Sequence, residues 1–493
     1  MDTTDGAKCS GFFKIDGREL LGDITTYRDK TNLYVHDREF FRPDNIENGC
    51  IHGVLHNRER VTLLHCVASP ISGQAWVGGE RYEYADIFPH YLVFGRRHIP
   101  PNEAVIKKIR LVTDDLPAIF YDFDAFGHAL DPKADIQNIL KRQSEKANRI
   151  IAAGDNPQIT YFTGRIEIFS CDTDLGHISA RHNPISNWGG PRGVYIKNQI
   201  SLDVEYPEPV IFDDVLRDLD RLSRFLELVA GRRQNVENLL LQVLDGEAGW
   251  LEVYHSNQVE RRAIPDEIAP QPSDLPIFGA RQPQVFGEVL RNWLGRDESW
   301  FDARSRFSSS FSKRNYYDLD RIIASANMFD ILPSSALPSE VDLSSEMATL
   351  RDKSRKLFKE LPASTERDSV LAALGRVGQP SLRHKILHRA NFILEKIPTK
   401  LPELSFVVDL AVDCRNHYVH GSIPKIEYSK SFFECVPFLT NALEFIFAAS
   451  DLVQAGWDID AWSRQGTTMS HPFARFLWNY DQGCEDLKQL VAR

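Results

Sequence analysis

The chain has 493 residues, 42% of them hydrophobic and 26% charged, with a formal net charge of −11. Such a composition excludes a disordered or fibrous chain, and the length exceeds what one hydrophobic core usually serves, so two or three domains are expected. The negative balance excludes a global attraction to nucleic acid, so an RNA site would have to be a local basic patch on an acidic body.

In chain order, residues 1–262 read as a β-rich region, divisible into lobes at about 1–135 and 155–262. Short β-rich runs recur at Phe12–Ile15, Asn32–Val35, Val61–Val67, Gln74–Val77, Tyr91–Phe94 and Lys107–Val112, with Gly, Asp and Asn between them. They predict a sandwich-like or curved sheet. A helix is expected over 132–153, strands over Thr160–Phe169 and Gly193–Glu205, and a helix over Asp213–Gly231. In that last helix Val215, Leu219, Leu222, Phe225, Leu226 and Val229 share one face, which predicts packing on the sheet. Strands near Val236–Val243 and Gly249–Tyr254 close the region.

Residues 263–283 carry five prolines from Pro265 to Pro283 and read as a linker. Beyond it strands nearly vanish. Helices are expected at 284–295, 316–328, 339–360, 366–376, 380–397, 403–420 and 430–455, so 284–493 reads as all-α, with a bundle from about 340. The fold class is α+β, with the two kinds of structure segregated along the chain.

Seven dispersed cysteines without a Cys-x-x-Cys pair suit a reduced, intracellular protein. No secretion signal opens the chain, and no run approaches the ~20 apolar residues of a membrane helix. The expectation is a cytoplasmic protein with no membrane contact. Cys50, His52, His56, His65 and Cys66 have metal-ligand chemistry, but alternating strands would scatter them over two faces, so no metal or other cofactor is expected.

Between Arg351 and Lys400 twelve cationic residues face five acids, a local basic stretch in an acidic chain. Such a stretch can equally be a solvated helix face. Arg383, His384, Lys385 and His388 lie in it, and with Lys425 they are the candidate RNA-binding residues.

The stretch leads into Asp413–Gly421, Asp-Cys-Arg-Asn-His-Tyr-Val-His-Gly. Leu404, Val407, Ala411, Cys414 and Tyr418 form the apolar stripe of a packed helix, and Gly421 suits its C-terminal cap. On an ideal helix residues five apart point roughly 140° apart, so Arg415 and His420 are expected to converge only if the helix stops or distorts, or if two copies meet. The spacing Arg-x4-His occurs three times, at Arg60/His65, Arg383/His388 and Arg415/His420. Only the third has a polar residue after the arginine and a helix end at the histidine.

Arg415-Asn416-His417-Tyr418-Val419-His420 resembles the Arg-polar-x3-His signature of HEPN ribonucleases, and its place after a long β-rich region resembles ApeA-type antiphage defence proteins. The resemblance implies a C-terminal HEPN ribonuclease that works as a homodimer without a metal, with Arg415, His420 and the adjacent Asn416 as site residues. It implies abortive-infection defence, an RNA substrate with tRNA among the candidates, and a phage-derived trigger acting through the N-terminal region. His417 has no family role.

The chemistry follows from the residue types as well. RNA cleavage needs a 2′-hydroxyl deprotonated, a phosphate neutralised and a leaving 5′-oxygen protonated, and an imidazole with a forked guanidinium supplies these functions. Asn416 could hydrogen-bond the phosphate or orient His420. The plain alternatives are an arginine paired with Asp409 or Glu427 and a histidine that only caps its helix. On that reading the protein is a non-enzymatic ligand- or RNA-binding protein whose helical domain only dimerises.

Overall fold

The computed structural model describes residues 7–27, 30–37, 46, 49–77, 79–191, 193–244, 249–256, 268–338 and 343–492. The chain forms two compact units, Met1–Ala230 with Gln234–Gly287, and Gly231–Arg233 with Glu288–Arg493. The first is β-rich and the second helical, the segregated α+β arrangement expected from the sequence.

The strands are β1 (Ala7–Ile15), β2 (Arg18–Tyr27), β3 (Lys30–Asp37), β4 (Ile51–Leu55), β5 (Arg60–Val77), β6 (Glu80–Gly95), β7 (Ile106–Thr113), β8 (Phe126–His128), β9 (Thr160–Phe162), β10 (Glu167–Thr173), β11 (Gly176–His182), β12 (Ile185–Trp188), β13 (Val194–Lys197), β14 (Ile200–Val210), β15 (Val236–Val243) and β16 (Trp250–His255). Twelve form one sheet in the order β10-β11-β14-β7-β15-β16-β6-β3-β2-β1-β4-β5. A further β5–β6 pairing closes β6-β3-β2-β1-β4-β5 into a barrel.

Closure depends on the two long strands. β6 pairs with β3 through Ile87, with β16 through Leu92 and Phe94, and with β5 along most of its length. Alternating residues fill the barrel, among them Phe13, Ile24, Leu33, Val35, Val61, Leu63, Ile87 and Leu92. Asp16 and Gly17, both with positive φ (49° and 74°), make the two-residue turn between β1 and β2, a geometry that matches strand twist and favours an Asp-Gly pair.

Helix α1 (Leu116–Ile119) is a single turn, and α2 (Lys133–Ala147) buries no residue. α3 (Phe212–Ala230) buries the whole stripe read from the sequence, Val215, Leu219, Leu222, Phe225, Leu226 and Val229. Phe286 sets its ring 5.6 Å from Phe225 and 5.1 Å from both Phe120 and Phe169. The first part of the expected linker, 263–267, lies outside the described residues. From Gln271 the chain makes a short 3-10 turn and buries Asp274, Leu275 and Ile277.

The remaining helices are α4 (Pro283–Leu294), α5 (Asp297–Phe311), α6 (Leu319–Asn327), α7 (Ser345–Glu360), α8 (Thr365–Gly375), α9 (Leu382–Leu394), α10 (Leu404–His420), α11 (Phe432–Ala455), α12 (Ile459–Ser463) and α13 (Pro472–Ala492). Residues 339–342, where α7 was expected to begin, lie outside the described residues; Ser344 caps the helix by accepting a bond from the Met347 N–H. α5 and α13 were not expected. α5 carries a buried arginine in its apolar face and a Ser308-Ser309-Ser310 run that reads locally as a loop.

α11 is the centre of the helical unit, packed by α5, α6, α9, α10 and α13. It also corrects an expectation: it is long and apolar enough to cross a membrane by composition, although 67% of its apolar window is buried inside the protein. Polar anchors lie within this core. The Asp451 carboxylate receives Arg304 through both oxygens (2.9 and 3.1 Å) and Arg296 at 3.0 Å, while Glu444 receives both ends of the Arg321 guanidinium.

Candidate active site

α10 brings Arg415 and His420 to the rim of the helical unit. Leu404, Val407, Val408, Leu410, Ala411 and Cys414 are buried, so the inner face of the helix is fixed before the functional residues begin. Gly421, with φ of 66°, takes the left-handed cap conformation and donates its N–H to the His417 carbonyl. The following loop is tied back by Asp413, whose Oδ2 lies 2.8 Å from both the Lys425 N–H and the Tyr428 hydroxyl.

Arg415 Nη1 lies 2.9 Å from His420 Nε2 within one chain. The helix is continuous through His420, contrary to the expectation that convergence needs a stop or a distortion. The long arginine side chain spans the angular gap. A guanidinium has only donors, so His420 Nε2 is the accepting nitrogen and its proton sits on Nδ1.

Arg415 is held by neutral acceptors. Asn327 Oδ1, at the end of α6, accepts from Nε (3.0 Å) and Nη2 (2.9 Å), and Asn416 Oδ1 accepts from Nη1 (3.0 Å). Amide oxygens fix the fork without cancelling its charge. Asp330 Oδ2 is 4.0 Å from Nη2, but Asp330 Oδ1 also receives Lys385 Nζ at 3.0 Å. The arrangement is a positioned cation beside an imidazole with little carboxylate compensation, suited to a phosphate.

Asn416 therefore orients Arg415, where the sequence suggested His420 or a phosphate. Asp409 pairs with Arg383, and Glu427 with Lys430, so neither is the partner proposed for Arg415 by the plain alternative. His417 directs Nδ1 to the Ser422 carbonyl at 3.0 Å and supports the loop. Asn327 and Asp330 were missed, since nothing in the local pattern of the motif reaches that far in sequence, 88 positions for Asn327.

The other candidates divide. Lys385 joins the cluster through Asp330. Arg383 is engaged by Asp409, which holds its guanidinium above its usual pKa. His384 Nδ1 bonds Ser381 Oγ, the N-cap of α9. His388 sets its ring edge against Phe392, and burial followed by the charge of Arg389 lowers its pKa. Lys425 exposes its side chain on the loop after Gly421. Of the two other Arg-x4-His pairs, His65 turns to Asp213 at 2.8 Å and Arg383 to Asp409.

Near the first of those pairs, His52 stacks on His98 at 4.5 Å. Among the described residues no group of three or more His, Cys, Asp or Glu could hold a metal ion.

The family model described as ApeA N-terminal domain 1 matches residues 3–293, more than half of the chain. The chain belongs to the ApeA family. A second model, Apea-like HEPN, matches residues 323–461, a span that contains Asn327, Asp330, Lys385, Arg415 and His420. At family level this is a defence-related HEPN nuclease. No curated protein and no solved structure matches the chain.

Proposed function

We propose that this ApeA-family protein is a metal-independent endoribonuclease in which Arg415 and His420 act on RNA, and that it serves antiphage defence by abortive infection. The observation that carries the reading is the 2.9 Å contact of Arg415 with His420 inside the Apea-like HEPN span. HEPN domains commonly dimerise and bind RNA, and in this reading two copies place their pairs in one cleft on a cytoplasmic RNA.

The contact suggests an order of events. At rest, the lone pair of His420 Nε2 is occupied by Arg415. An incoming phosphate draws the guanidinium to its oxygens, leaving Nε2 free to take the 2′-hydroxyl proton. The 2′-oxygen then bonds phosphorus as the bond to the 5′-oxygen breaks, and an imidazolium returns a proton to that oxygen. The products are a 2′,3′-cyclic phosphate and a 5′-hydroxyl. Only a ribose supplies the nucleophile, so DNA is not cut.

An enzyme of this kind must be silent in healthy cells. The β-rich region restrains it until a phage component binds, so removing residues 1–283 should raise basal toxicity; a folded, dimeric and harmless truncation would contradict the restraint. The cleavage reading is tested with purified protein, total RNA and a chelator, in the presence of an extract of phage-infected cells that supplies the trigger. Wild type should cut, and Arg415→Ala and His420→Ala should not. Cleavage that persists in both variants would refute the assignment.

A further inference from the structure

The β-rich unit carries a cleft of about 740 Å³ lined by Arg58, Glu59, Gly95, Arg96, Gly249 and Trp250. Its volume is in the range that holds a small organic ligand. We propose that this cleft binds a nucleoside phosphate, with the base against Trp250 and the phosphate on Arg58 and Arg96.

The aromatic surface is fixed in advance. Arg110 lies over the Trp250 ring at 4.7 Å and is itself locked by Asp203, which accepts from Nε at 2.7 Å and from Nη2 at 2.8 Å. Asp203 is 1% exposed while Arg110 is half-buried, so the ion pair holds the guanidinium against one face of the indole. A planar ring that loses no freedom on binding is a good surface for a base, and stacking tolerates any base.

The cationic side is built at a local conformational cost. Arg58 has φ of 68° in the turn between β4 and β5, where its N–H donates to the Leu55 carbonyl and the Leu55 N–H donates to the Glu59 carbonyl. Glycine or asparagine fits such a position with less strain, so an arginine there points to a side-chain role. Its guanidinium is exposed, as is that of Arg96, and a forked cation pair suits phosphate oxygens. Glu59, steadied by Asn57 Nδ2 at 3.2 Å, gives the cleft an acceptor for ribose hydroxyls.

The test is calorimetric titration of the full chain with ATP, adenosine and a 5′-phosphorylated oligothymidylate, none of which the proposed ribonuclease can cut. Binding is expected for ATP, the oligonucleotide or both, and adenosine should bind at least roughly tenfold more weakly, since charge-assisted bonds are lost. ATP alone would identify a free nucleotide as the source, and the oligonucleotide alone a strand end. Arg58→Gly, which relieves the turn, and Trp250→Leu should each weaken binding about tenfold or more, with the melting temperature of Arg58→Gly unchanged or raised. The proposal is overturned if neither phosphate binds below about 1 mM, if adenosine binds as well as ATP, or if Arg58→Gly and Arg96→Ala both bind like wild type. The titrations are repeated in Arg415→Ala, where binding at this cleft should persist; binding lost there but kept in Arg58→Gly would place the phosphate at the α10 site and overturn the proposal.

Discussion

Asn327 Oδ1 accepts two hydrogen bonds from the Arg415 guanidinium, at 3.0 and 2.9 Å, joining the end of α6 to the last turns of α10. The acceptor is neutral, which leaves the arginine its charge. Asn327→Ala should loosen the fork and lower single-turnover RNA cleavage by about 10- to 100-fold, an effect of the size seen when a supporting group is lost. Asn327→Asp should be at least as harmful, because a carboxylate would compete with the phosphate. Full activity in Asn327→Asp would show that Arg415 does not need its free charge.

Asp451 is fully buried, and although burial works against its charge, Arg304 and Arg296 hold its pKa below the ordinary carboxylate value. Arg389 also adds to the positive field, and burial pushes its own pKa down to about 10. Asp451→Asn should therefore leave buried guanidinium charge uncompensated and destabilise the helical unit by about 3–5 kcal/mol in chemical denaturation. A loss below about 1 kcal/mol would mean that the arginines find other acceptors.

His98 supplies a pH dependence in the β-rich unit. Burial first, then the positive surroundings of His52, Arg60 and Lys14, lower its pKa from 6.5 to about 4. The unfolded chain takes up this proton before the folded one does, so the contribution to stability is present above pH 6.5 and is lost as the pH falls toward 4. Denaturation midpoints between these limits should fall less steeply in His98→Asn than in wild type; identical slopes would remove His98 from the account.

α7 exposes Lys353, Lys356 and Lys359, and the helix buries none of its residues. If this basic face meets RNA, Lys→Gln at all three should weaken binding and reduce the salt slope by about 2, from ~0.7 per phosphate contact on a single strand. An unchanged slope would make the face a solvated one.

What was legible in the sequence follows the range of the interactions. The face of α3 was readable because its periodicity is local, and so was the cap at Gly421. Barrel closure was not readable, since it depends on β5 pairing with β6 while β4 pairs with β5 from the other side. α5 escaped because its buried face contains Arg304, whose partner Asp451 lies 147 residues further on. The Arg415–His420 pair was visible as a motif, but its holders were not. Asn327 and Asp330 come from another helix end, and without them the plain alternative gave the arginine Asp409 or Glu427 as its partner.

The most direct test compares wild type, Arg415→Ala and His420→Ala in cells with and without phage challenge, sequencing RNA ends that carry a 2′,3′-cyclic phosphate. The account predicts new ends in challenged wild type and none in either variant, with protection lost in both. Protection that survives both substitutions without such ends would contradict it and leave a binding protein whose helical unit only dimerises.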